Sequence, residues 1–203
     1  MGVYATHIFP RIMDFACGMM EEQRAESLKD AYGDVLEIGF GTGRNLPHYP
    51  STVKSLAALD PMQALEGRVA ARIASAPFPV ERFSLPASSK LPFPDGRFDC
   101  VVSTWTICSI DEPGKALQEM RRVLKPGGIY LFIEHGSSHS PRVAAWQKRI
   151  NPIWKRLFCG CRLDLNPGDV IKNAGFQLTQ FDTFVLPGRS SFSDQIYRGV
   201  ART

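Results

Sequence analysis

Two rhythms of apolar and polar positions alternate along the chain. The runs DVLEI (34–38), SLAALD (55–60), PVERFSL (79–85), FDCVVSTW (98–105) and GIYLFIE (128–134) each carry a short block of apolar residues, which predicts five strands. Between them, residues 62–74 and 112–124 space their apolar positions at helical intervals. Residues 11–30 do the same, with Ile12, Phe15, Met19, Met20 and Leu28 on one broad side. The helix over 112–124 runs into VLKPGG, where proline and glycine end it. Strands and helices that take turns at this spacing predict an α/β fold, a parallel sheet with helices on both faces. After Phe176, two strand-like runs divided by Pro187, Gly188 and Arg189 predict a closing hairpin with an antiparallel last strand.

The first strand ends in GFGTG, three glycines at alternate places: Gly39, Gly41 and Gly43. A strand, a bare turn and a crevice at the carboxyl end of a parallel sheet make a nucleotide site, so an adenosine is the expected ligand. A dinucleotide fingerprint has the order G-x-G-x-x-G, and this turn lacks its extra residue. Glu37, in the strand just before the turn, is badly placed for a pyrophosphate and well placed for an ammonium group. A cofactor with an amino-acid tail fits. Asp60 closes the second strand, where a carboxylate can accept both ribose hydroxyls.

With 203 residues and 44% hydrophobic content, the chain can bury one core, which favours a single domain over 1–203. Lys and Arg exceed Asp and Glu by only 24 to 20, too mild a balance to predict nucleic-acid binding. Five scattered cysteines in a chain of this size predict reduced thiols and a cytoplasmic protein. The first twenty residues have no cationic region ahead of an apolar stretch, and Pro10, Arg11 and Asp14 interrupt them, so neither a signal peptide nor a spanning helix is expected there. Gly2 and Thr6 meet the short N-myristoylation pattern, which is set aside as a chance match.

The segments VLEIGFGTG, ALD, LPFPDGRFDCVVSTW and EMRRVLKPGGIYLFIEHG, in this order, resemble class I S-adenosylmethionine-dependent methyltransferases of the type 11 group, over roughly residues 30–135. The later segments TWTICSID, EHG and WQKRINPIWKRLFCGCRLDLNPGDVIKNAGF are similar to the small methyltransferase-like thiol S-methyltransferases of animals. The resemblance implies a Rossmann-like seven-stranded sheet with S-adenosyl-L-methionine as cofactor and S-adenosyl-L-homocysteine as product. It further implies a lid over 1–30 carrying Tyr4, His7, Phe9 and Met13, a cofactor core over 31–135, and an acceptor-side helix and hairpin over 136–203. Gly39, Gly41 and Gly43 would face the methionine and ribose, Asp60 the ribose hydroxyls and Met62 the adenine, with Glu37 and Ser103 completing the cofactor set. Where the family often has an Asp ahead of LPF this chain has Ala87, and Ser88 is the candidate to replace it.

A sulfonium methyl passes in line to a nucleophile, so the protein must hold two partners and exclude water. The candidate catalytic residues are His135, as a base or acceptor-orienting group, and Trp105, as a ring beside the sulfonium. Against these stand a strand-end cap for His135 and a core aromatic for Trp105. Cys108 reads as a small buried hydrophobe. Cys159-Gly160-Cys161 finds no convincing set of further ligands in the sequence, so no metal site is expected. Arg142, Lys148, Arg149, Lys155, Arg156 and Arg162 sit among Trp146, Ile150, Ile153, Trp154 and Leu157 with no acidic residue between Glu134 and Asp164. Such a segment (142–162) either contacts an anionic membrane peripherally or packs its apolar side on the sheet, with Pro152 breaking a continuous face. The expected acceptor is small or lipophilic: a thiol, a phospholipid amine or a quinone. Methylation of RNA or protein, and a non-catalytic cofactor-binding module, are the alternatives.

Overall fold

The computed structural model describes residues 10, 11, 14, 18–62, 65–186 and 192–203, and of Met19 the backbone alone. Its elements run α1 (Glu21–Leu28), β1 (Gly33–Ile38), β2 (Val53–Leu59), α2 (Glu66–Ala74), β3 (Val80–Phe83), β4 (Phe98–Thr104), α3 (Pro113–Val123), β5 (Leu124–His135), α4 (Pro141–Leu157), α5 (Pro167–Asn173), β6 (Gln177–Val185) and β7 (Gln195–Arg202). All seven strands join one sheet in the order β3-β2-β1-β4-β5-β7-β6. Strands β1 to β5 pair in parallel, and β7 runs antiparallel to both β5 and β6, as the hairpin pattern predicts.

Successive side chains of a strand serve opposite faces, and here both faces are covered. On one, Leu36, Val101 and Phe132 pack with Leu117 and Met120 of α3 and Ile171 of α5. On the other, Val35, Val102 and Leu131 pack with Leu28 of α1 and Val69 of α2. This double cover is why the central strands read as nearly unbroken apolar runs. From β1 the chain moves outward to β2 and β3, then returns to β4 on the opposite side of β1. That reversal opens a crevice at the carboxyl ends of β1 and β4.

Three sequence expectations change. Helix α2 begins at Glu66 rather than 62, because the backbone N–H of Met62 is held by the Asp60 carboxylate at 2.7 Å and Leu65 takes a left-handed φ of 53° before the helix starts. Pro152 does not break α4, which runs unbroken from Pro141 to Leu157. A proline there removes one backbone donor, and two side-chain anchors in the turns just before it hold the helix: Gln147 to the Ser138 N–H and Asn151 to Leu163 and Asp164. Nor does α4 pack all of its apolar residues inward: Val143, Ile150 and Trp154 are half-buried. Gln147 and Asn151 are its buried residues, while Trp146, Ile153 and Leu157 are 60%, 66% and 53% exposed.

Pro10, Arg11 and Asp14 are helical and Gly18–Met20 forms a 3₁₀ turn leading into α1. Ile12 and Phe15, the proposed lid residues Tyr4, His7, Phe9 and Met13, and the Pro187-Gly188-Arg189 turn lie outside the described residues.

Candidate active site

A cleft of about 650 Å³ opens at the carboxyl ends of β1, β2, β4 and β5. Its tightest point is the meeting of two loops. Gly39 follows β1 at φ 77°, and a Cβ there would lie 2.1 Å from Thr106 Oγ1 in the loop after β4, so no side chain fits. The Thr106 loop is itself pinned by Glu134, which is fully buried in β5. Glu134 accepts from the backbone N–H groups of Thr106 and Ile107 at 2.9 and 3.1 Å and from Ser103 Oγ at 2.9 Å. Burial raises the Glu134 carboxyl above its ordinary range, and those three donors oppose the rise. Trp105, held between them, has a φ of 51°.

The loop after β2 is tied to the same point. Asp60 accepts from the N–H of Gly41 and of Met62, both at 2.7 Å. Its carboxylate lines the cleft and burial raises its pKa, so it is a partly desolvated acceptor aimed at whatever binds there.

Beneath the turn runs a buried polar chain. The Arg24 guanidinium of α1 donates to Asn45 Oδ1 at 2.7 Å and to Thr104 Oγ1 at 3.1 Å, and it sits 4.8 Å from the Trp105 ring centroid. Asn45 Nδ2 donates to Glu37 Oε1 at 2.9 Å, and Tyr49 donates to Glu37 Oε2 at 2.7 Å. The N-terminal segment joins at the rim, where Asp14 is 4% exposed and accepts from Thr42, Arg44, Arg68 and Arg72. Desolvation works to raise the Asp14 carboxyl, but the hydrogen bonds outweigh it and hold it far below the usual range.

Of the residues singled out from the sequence, Gly39, Gly41, Asp60, Met62, Ser88, Trp105 and His135 all line this cleft. Ala87, in the place of the family's Asp, lines it too. Glu37, Gly43 and Ser103 do not: Glu37 and Ser103 are 1% and 0% exposed behind it, their polar atoms engaged within the protein. Sequence reading missed Arg24, Asn45, Thr104 and Glu134, whose partners are far away in the chain. It also missed the wall made by Trp154 of α4 and Phe158, stacked at 4.0 Å, although their four-residue spacing is a helical signal. Cys108 does line the cleft, next to His135 and Cys161.

The residues present suit an adenosyl cofactor with an amino-acid tail: a turn with no room for a Cβ at Gly39 and an acidic acceptor one loop away, at a topological switch point. Residues 36–132 match the methyltransferase domain family. The chain is 35% identical to human (Homo sapiens) thiol S-methyltransferase TMT1B over 162 residues, 77% of this chain and 66% of that protein. It is 29% identical to phosphatidylethanolamine N-methyltransferase of Cereibacter sphaeroides over 144 residues, 68% of this chain and 70% of that protein. The fold matches the N-methyltransferase NodS of Bradyrhizobium japonicum, solved with S-adenosyl-L-homocysteine, at a TM-score of 0.66 and 17% identity over 92% of this chain and 86% of that one. The chain belongs to the S-adenosylmethionine-dependent methyltransferases, and S-adenosylmethionine is its cofactor. It spans about two thirds of the length of the human relative.

The buried chain under the turn has a pH signature. Burial raises Glu37 to about 7, against the bonds from Tyr49 and Asn45 and the Arg24 charge. An unfolded glutamate titrates near ~4.3, so the folded protein holds this proton more tightly. Its contribution to stability is complete below about pH 4 and is lost as pH rises to 7, on the order of 3 kcal/mol in all. Denaturant unfolding between pH 5 and 7.5 is expected to show a shallower fall in stability for Glu37→Gln than for the parent; equal slopes would contradict this assignment.

Proposed function

We propose that this chain transfers the methyl group of S-adenosylmethionine to the sulfur of a small, lipophilic thiol. The likeness to a thiol S-methyltransferase over 162 residues carries the reading. The lining of the cleft supports it, since Trp105, Ile110, Trp154 and Phe158 line it together with Cys108 and Cys161. A chamber with such walls holds an apolar acceptor and excludes water, which strengthens the electrostatics of transfer.

When bound, the cofactor supplies a sulfonium methyl as the electrophile. The bare Gly39–Gly41 backbone admits its amino-acid end closely, Asp60 accepts from the ribose hydroxyls, and Met62, Ala87 and Ser88 border the adenine. Glu37 acts as a positioning residue, fixing the turn through Asn45 and Tyr49 rather than touching the ligand. Trp105 forms the wall at the transferred methyl, with one ring face engaged by Arg24. His135 orients the acceptor, since a thiol that ionises readily needs no strong base. The expected product with an alkanethiol is the S-methyl thioether, identified by mass spectrometry beside parallel reactions with phosphatidylethanolamine and a quinol. N-methylated lipid or C-methylated quinone without any thioether would refute the thiol reading.

A lipophilic acceptor needs a route in, and α4 offers one. Its exposed Trp146, Ile153 and Leu157 are flanked by exposed Arg142, Arg149 and Arg156 at every seventh position, and the same helix lines the cleft through Trp154. Among the described residues no helix is long and apolar enough to cross a membrane. An amphipathic basic helix rests on an anionic bilayer by burying its apolar stripe while its arginines meet the headgroups. The protein is expected to sediment with phosphatidylglycerol vesicles at low salt, less so at high salt, and poorly after Trp146→Ser, Ile153→Ser and Leu157→Ser together. Equal sedimentation of the triple variant would show that α4 is not the contact.

A further inference from the structure

Cys108, His135 and Cys161 come from three separate parts of the chain, yet their sulfur and ring-nitrogen atoms all lie within 4.8 Å of one another. All three residues line the cleft, and His135 Nε2 is 3.0 Å from Cys161 Sγ. The grouping is held by its own scaffold. Arg162 donates its backbone N–H to the Cys108 carbonyl at 3.0 Å and its guanidinium to the Ile110 carbonyl at 3.0 Å, stitching the segment after α4 onto the segment after β4. Cys159 at φ 48° and Gly160 at φ 97° make the left-handed turn that leads into Cys161. A non-glycine residue held there marks a backbone determined by its surroundings, as happens at functional sites. The second ring nitrogen of His135, Nδ1, is buried without a hydrogen-bond partner among the described residues.

Two thiols and an imidazole converging on one point are the donor set of a soft divalent cation. Structural zinc sites close with four protein ligands, whereas catalytic ones use three and leave a position open. Tetrahedral ligands around zinc stand roughly 3.4–3.8 Å apart, so rotamer adjustment within this cluster suffices. We propose that Cys108, His135 and Cys161 bind one Zn²⁺-like ion whose fourth position faces the cleft and takes the acceptor thiol. The proposal rests on the thiol reading above. A thiol entering that position loses its proton to solvent and binds as the thiolate, because a coordinating thiol is deprotonated outright. Its sulfur lone pair forms the new bond to the methyl carbon while the bond from that carbon to the sulfonium breaks, its electron pair staying on the departing sulfur. Both products are neutral thioethers, and a thioether is a weaker ligand than a thiolate, which favours release. His135 then orients the acceptor through the ion rather than by taking its proton.

The test is a titration of the reduced full chain with Co²⁺ alone, followed by displacement with Zn²⁺ and measurement of bound metal after desalting. One equivalent is expected, with the intense visible bands of tetrahedral cobalt and a thiolate charge-transfer band in the near ultraviolet. Cys108→Ser and Cys161→Ser should each weaken binding by more than the roughly 100-fold that outer partners cost. Cys159→Ser, which alters a cleft-lining cysteine outside the cluster, should leave the spectrum unchanged. Adding an alkanethiol should shift the cobalt bands, and S-adenosylmethionine alone should not. No metal in the reduced protein, or a Cys108–Cys161 disulfide in its place, overturns the site even where thioether is still produced. Loss of the bands in Cys159→Ser overturns the open position. Metal that binds but ignores thiols, in a protein that still forms thioether, overturns the role given to the ion; the same silence with no thioether formed would instead count against the thiol reading.

Discussion

The close passage of Gly39 against Thr106 sets the geometry of everything around it. Two loops from neighbouring parallel strands cross there with no room for a side chain on the first, and each is fixed from elsewhere. Glu134 holds the Thr106 loop from the next strand by its backbone amides, and Asp60 holds Gly41 from the strand on the opposite side. Carboxylate-to-amide bonds, the charge-assisted kind that is shorter and stronger than neutral ones, thereby join the ends of β1 and β2 and of β4 and β5, and the Gly39–Thr106 passage packs the two pairs together. The turn is preorganised by the fold before any ligand arrives, which spares binding the ordering cost.

Below that crossing lies a set of buried polar groups that an apolar core would avoid. Arg24, Asn45, Thr104, Glu37 and Tyr49 are linked in a single chain of hydrogen bonds. Buried ions seldom add net stability relative to apolar packing, because desolvation offsets much of the attraction. Their value here is positional: the chain links α1, β1, the turn after it and the end of β4. The region of the cleft proposed for the acceptor differs in kind, with the stacked rings of Trp154 and Phe158 and the thiols of Cys108 and Cys161 beside His135, Asp111 and Asp194.

The sheet was legible in the sequence because its central strands are buried on both faces and so write themselves as apolar blocks. The site was legible at its turn, because three alternate glycines directly after a buried strand mark a place where side chains would obstruct a close approach. The antiparallel finish could be read from the two strand-like runs after Phe176. What stayed hidden depended on distance along the chain. Glu37 reads as a ligand contact from its place before the turn, and only the fold shows Asn45 and Tyr49 occupying it. The grouping of Cys108 with Cys161 depends on Arg162 reaching the carbonyls at 108 and 110, which spacing cannot reveal. Helix α4 misleads most: its apolar residues suggest a fully apolar inward face, but Gln147 and Asn151 are the most buried on that side because they find backbone and carboxylate partners there, while Trp146, Ile153 and Leu157 stay exposed.

The division of the cleft into a cofactor half and an acceptor half is tested most directly by a crystal structure with S-adenosylhomocysteine bound. The ribose hydroxyls are predicted to meet the Asp60 carboxylate, the amino-acid end to lie along Gly39–Gly41, and the sulfur to point toward Trp105 and His135. An adenosine seated instead against Trp154 and Phe158, with Asp60 facing solvent, would contradict the account.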